Sequence, residues 1–130
     1  VNKIFIMCIP ILSVSMLSGC AQKTISPEII AKAKEPVYCE GKSQCDTYWA
    51  RTKAWIAMNS AWKIQNSDEI VISTYNPAEY STAVSYQAVK NHVGGEKYEI
   101  VIQTGCANMF GCVPDENVQV ATLKDYIKAN

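Results

Sequence analysis

Six cysteines and a single histidine are the most reactive side chains in this 130-residue sequence. The cysteines stand at positions 8, 20, 39, 45, 106 and 112, and the histidine is His92. A thiolate beside an imidazole makes a nucleophile, four thiolates hold zinc, and pairs of thiols oxidise to disulfides. Spacing discriminates among these. Cys39 and Cys45 enclose five residues, as do Cys106 and Cys112, whereas structural zinc sites draw cysteines about two to four residues apart. Neither pair is a redox Cys-x-x-Cys. His92 lies beside Gly94-Gly95 at an expected hairpin tip, a solvated place that suits neither a general base nor a buried ligand. A Cys–His hydrolase built on Cys106 or Cys112 is the enzymatic alternative, but disulfide formation would consume both thiols. Asp68-Glu69 and Asp115-Glu116 fall in a turn and at a helix start, where acids are expected for backbone reasons alone. Gly-x-Ser-x-Gly, a phosphate-cradling glycine loop and a His-Glu metal motif are all missing from the sequence. The residues spell out no catalytic set, no metal site and no cofactor.

How the cysteines read depends on compartment, because exported thiols oxidise while cytosolic thiols stay reduced. Twelve basic residues balance twelve acidic ones, which excludes the basic footprint of a nucleic-acid binder. The N-terminus is more informative. Lys3 precedes the apolar run IFIMCIPILSVSML at 4–17. Fourteen residues of helix span roughly 21 Å, short of the roughly 30 Å of bilayer hydrocarbon, and Pro10 weakens that helix further. The run suits the apolar region of an export signal.

Leu17-Ser18-Gly19-Cys20 closes that run and resembles the lipobox of bacterial lipoproteins. The resemblance covers residues 1–20. It implies a signal peptide at 1–19, a diacylglyceryl group on the Cys20 sulfur, and palmitate or a similar chain on the new amino group. Two or three chains, each methylene contributing about 0.8 kcal/mol, hold a protein stably on a membrane. Ala21 in place of Asp resembles the pattern sent to the outer membrane of Gram-negative cells, with the protein facing the periplasm. Cys8 would leave with the signal peptide.

Four cysteines then remain, and four allow three pairings. Local pairing, Cys39 with Cys45 and Cys106 with Cys112, is favoured because Gly41 and Gly111 let each short loop close. A crossed pairing, joining the entrance of the first domain helix to that of the last, is the alternative, and its longer loops would stabilise more.

Further elements must position these residues. Residues 20–38 read as the lipidated cysteine and a tether, with a short helix possible at 27–34 behind Ser26-Pro27-Glu28. Ile29 and Ile30 could instead dock on the domain or a partner. Residues 39–130 read as one small disulfide-stabilised domain. Asp46 is the expected N-cap of a helix that places Tyr48, Trp49, Thr52, Trp55, Ile56 and Asn59 on one face. The period then changes to two. Four strands follow: AWKIQ; EIVISTY with Ile70, Ile72 and Thr74 together; YSTAVSYQAVKN with Val84, Tyr86 and Ala88; and KYEIVIQT with Tyr98, Ile100 and Ile102. A last helix, capped by Asp115, carries Val120, Leu123 and Ile127. The expected fold is α+β: a four-stranded antiparallel meander covered in two layers by an N-terminal and a C-terminal helix. In element order alone it resembles the helix-grip arrangement of BamC-type lipoprotein domains.

The loop CANMFGC presents one further choice. Phe110 either plugs the core beneath the last helix or stands out, with Met109, as a rigid apolar contact for a partner. The sequence thus points to a lipid-anchored envelope protein acting as a structural, accessory or interaction module. A binder of a small apolar or envelope ligand, held between sheet and helices, is the alternative.

Overall fold

The computed structural model describes residues 24–130. The expected signal peptide at 1–19, Cys8 and the lipidation site Cys20 lie outside the described residues. Element order is α1 (Pro27–Lys34), β1 (Tyr38–Glu40), α2 (Lys42–Asn59), β2 (Ile64–Ser67), β3 (Val71–Thr74), β4 (Ser85–Gly94), β5 (Lys97–Gly105) and α3 (Glu116–Lys128).

The fold is α+β, as expected, but the sheet has five strands rather than four. Its order is β1-β5-β4-β3-β2, antiparallel throughout. Strands β2 to β5 form the expected meander. The added strand is three residues long and pairs Tyr38 with Glu99, Cys39 with Tyr98 and Glu40 with Lys97. So short a segment, just after Pro36, carries no periodicity of its own; its partner strand creates it.

The segment expected to be a tether is folded from Pro27 onward. Ser26 caps α1, its Oγ accepting from the Ile29 amide at 3.4 Å. Ala33 is buried with Val120 and Ala121 of α3, and Ile29 packs against the same cluster. Val37, also inside the expected tether, is fully buried in the main core. Lys32 pairs with Asp125 at 3.0 Å and Lys128 with Glu35 at 3.3 Å.

Helix α2 starts earlier than expected. Gly41 is its N-cap at φ +76°, a conformation that side chains avoid, and offers no side-chain cap. Asp46 therefore sits inside the helix, paired with Lys42 one turn before it. Thr52, Trp55 and Ile56 are buried as expected, with Tyr48 and Trp49 packed against their edge. Helix α3 begins at the expected cap, Asp115 accepting from the Asn117 amide at 2.8 Å.

Trp55, Ile56, Ile72, Tyr86, Ile100, Leu123 and Ile127 fill the space between sheet and helices. Ile72, Thr74, Val84, Tyr86, Ala88 and Ile100 face inward as expected. Ile70 does not, because it precedes β3 and sits in the turn organised by Asp68, where alternation does not apply.

Tyr86 donates its hydroxyl to Gln119 Oε1 at 2.9 Å. Burial, with a smaller effect from the Glu116 charge, pushes its pKa up to about 12 from an ordinary 10.0. Above pH 10 the unfolded chain loses the phenolic proton while the folded chain keeps it, so the folded state binds more protons and stability falls with rising pH. One proton contributes about 1.4 kcal/mol per pH unit, so roughly 2–3 kcal/mol should be lost by pH 12. Tyr86→Phe should lack this loss. Urea midpoints at pH 9 and 11 for both proteins provide the check, and equal declines would refute it.

Candidate functional site

Each pair of cysteines is joined locally: Cys39 to Cys45 with Cα atoms 5.1 Å apart, and Cys106 to Cys112 with Cα atoms 5.6 Å apart. The first bridge is buried and ties β1 to the opening turn of α2. The second is half-buried and closes the loop between β5 and α3.

These two bridges stand at opposite ends of the sheet. His92 belongs to the first end, where it pairs across with Tyr98, their rings 5.1 Å apart. Its Nε2 lies 2.8 Å from the Gly95 carbonyl oxygen, and the residue is exposed. Cys106 lies eight positions after Tyr98, roughly 25 Å along a strand. His92 is thus far from Cys106 and Cys112, and this geometry gives no nucleophile–base pair.

The acids have backbone roles. Asp68 Oδ1 accepts from the Ile70 and Val71 amides, each at 2.7 Å. Those two amides, Val71 foremost, hold its carboxyl below the usual carboxylate range. Glu116 accepts from Thr104 Oγ1 at 2.8 Å, and its second oxygen lies 3.2 Å from Cys112 Sγ. That second approach is a contact, since a disulfide sulfur carries no proton. Cys106, Cys112 and Glu116 stand close enough together to share a metal ion, but the bridge occupies both sulfurs.

The distinctive surface is the loop end of the sheet. Phe110 is 92 % exposed and Met109 89 %, with Tyr80 at 75 % and Val113 at 68 % beside them. Phe110 is therefore no plug. Two loops are laced together to hold this surface. Ala107 N donates to Ser81 O at 3.0 Å, Val113 N to Thr82 O at 2.9 Å, and Asn108 Nδ2 to Tyr80 O at 2.8 Å. Within the second loop, Asn108 Oδ1 accepts from the Phe110 amide at 2.9 Å. Bridge and hydrogen bonds fix the backbone, so the exposed side chains are presented by a rigid support. Tyr80 and Val113 are not legible as site residues in the sequence, because their neighbours come from a loop some thirty positions away.

No family model, curated protein or solved structure matches this chain. Among the described residues, no helix is long and apolar enough to cross a membrane.

Shallow grooves lie elsewhere on the surface. One of about 240 Å³ is lined by Ser73, Gln87 and Gln103 on the outer face of the sheet, among other residues. Another lies between the start of α2 and the hairpin, lined by Lys42, Asp46, Lys90, Glu96 and Tyr98 among others. Lys90 Nζ stands 5.5 Å from the Trp49 ring centre, a cation–π contact that holds this β4 lysine against helix α2.

Proposed function

We propose that this protein is lipid-anchored to the bacterial envelope through Cys20, at the outer membrane and facing the periplasm, and works as a structural or accessory interaction module without catalysis. The observation that carries this reading is Leu17-Ser18-Gly19-Cys20 at the end of a short apolar leader. Two features of the folded part support it. Both cysteine pairs are oxidised, as suits an exported chain. A braced loop holds Met109 and Phe110 in solvent, as suits a contact surface.

An alternative ligand site between sheet and helices is less favoured, because Trp55, Tyr86 and their neighbours occupy that space.

Metabolic labelling with radioactive palmitate tests the anchor. The wild-type protein should take up label and sediment with membranes, and Cys20→Ala should lose both entirely. A Cys20→Ala protein that still carries lipid would overturn the reading.

A further inference from the structure

We infer that the loop end of the domain, Tyr80, Met109, Phe110 and Val113, docks on the lipid bilayer itself and forms a second membrane contact beside the anchor. This inference rests on the lipid-anchor reading above and names what the exposed loop meets.

The position of α1 fixes where the chain enters the fold. Helices α1 and α3 run parallel, as successive contacts show. Lys32 meets Asp125 and Glu35 meets Lys128, in the same order along both helices. The start of α1 therefore points the same way as the start of α3. Glu116 opens α3, touches Cys112 and accepts from Thr104 near the end of β5. Ala33, near the end of α1, packs with Val120 and Ala121 on a cluster that Ile102 of β5 joins, so the first residues of α1 extend from there toward the start of α3. The chain thus enters at the end of the domain that carries the 106–112 loop.

Chain length then limits where a membrane can be. Cys20 is six residues before the helix cap Ser26. Fully extended, six residues reach about 20 Å. A bilayer holding acyl chains on Cys20 must lie within that distance of Ser26. Because α1 is docked on α3, it adds no length with which to lift the domain away. The end of the domain nearest the anchor is therefore the one facing the lipid.

The chemistry of that end fits a bilayer. Residues 106–113, CANMFGCV, contain no charged side chain, so nothing in the loop carries a large desolvation cost on meeting headgroups. Phe, Met and Val offer apolar surface, and the Tyr80 ring has a polar tip suited to the interface. Residues 106–113 form an uncharged, exposed tip, and the acids Glu79 and Asp115 border it.

Added indoles can test the contact in the full-length lipidated protein. Phe110→Trp and, at the opposite end, Val93→Trp are each reconstituted into phosphatidylethanolamine–phosphatidylglycerol vesicles containing a phospholipid with brominated chains. The wild-type emission of Trp49, Trp55 and Trp62 is subtracted. Both replaced residues are exposed, so neither substitution disturbs packing. Bromine should quench roughly half of the added emission in Phe110→Trp, as for a ring seated at the acyl boundary, and leave that of Val93→Trp unchanged. Equal quenching in the two variants would overturn the docking. So would Phe110→Trp emission that ignores lipid but shifts when solubilised envelope proteins are added, which would assign the loop to a protein partner. The intact mass of each preparation separates anchor from docking. Unmodified Cys20 defeats the anchor and this inference together, whereas lipidated Cys20 without selective quenching defeats the docking alone.

Discussion

Replacing Trp55 with alanine should lower the midpoint of thermal unfolding by about 15–25 °C. Trp55 is buried at the centre of the core and meets Tyr86 edge-on, ring centres 5.6 Å apart. Aromatic-to-alanine changes in a core cost about 3–5 kcal/mol, because lost transfer energy is joined by an unfilled cavity. The edge-on pair adds a smaller amount. A domain of this size is stable by about 5–15 kcal/mol, so the change removes a large share of the total. Trp49→Ala is the informative comparison. Its indole packs at the edge of the core and donates Nε1 to the Asp68 carbonyl at 2.9 Å, so its loss should be milder. Circular dichroism melts of both variants decide the matter. If Trp49→Ala proved the more damaging, the indole at 55 would not be the centre of packing.

The same helix shows what a sequence can and cannot reveal. Its buried face is legible because Thr52, Trp55 and Ile56 repeat at helical spacing, and the strands are legible from alternation in Tyr86, Ala88 and Ile100. Caps are legible where a side chain makes them: Ser26 and Asp115 both do. Where backbone makes the cap, the start is hidden, since Gly41 begins α2 with φ +76° and Asp46 merely looks like a cap. Local disulfides can be favoured from loop length and glycine. Strand β1 cannot be found, because its three residues borrow their structure from β5, some sixty positions on. The candidate site is half legible. Met109 and Phe110 stand out between two cysteines, but residue type alone cannot say whether a phenylalanine is core or surface. Tyr80 and Val113 join the site only through hydrogen bonds between loops distant in sequence.

Docking of α1 is the feature least visible in the sequence, and it leads to the second expected result: Lys124→Ala should release α1 from the domain. Lys124 is buried in α3, and its Nζ donates to the Ala33 carbonyl at 2.6 Å and to the Glu35 carbonyl at 2.6 Å, ninety-one and eighty-nine residues away. These carbonyls lie at the C-terminal end of α1, where backbone acceptors lack helical partners and the helix dipole is negative. Burial, reinforced by the charge of Lys128, pushes the Lys124 amine below its ordinary range. The contact is nevertheless favourable overall, because charge-assisted hydrogen bonds contribute about 1.5–3 kcal/mol each and a truncated lysine leaves both acceptors unmet. An eight-residue helix has little stability alone in water. After allowing for water reaching the freed carbonyls, a net loss of about 2–3 kcal/mol corresponds to roughly 30- to 150-fold faster amide exchange in α1, read at Ile30 and Glu35. The amides of β4 and β5 should be unchanged, which separates local release from global unfolding. Once free, α1 no longer holds the loop end toward the anchor. The selective quenching of Phe110→Trp should then decline in the Lys124→Ala background while Cys20 stays lipidated. Unaltered exchange at Ile30 and Glu35 would mean that Ile29, Ala33, Val120 and Ala121 hold the helix unaided, and Lys124 would lose its place as the latch.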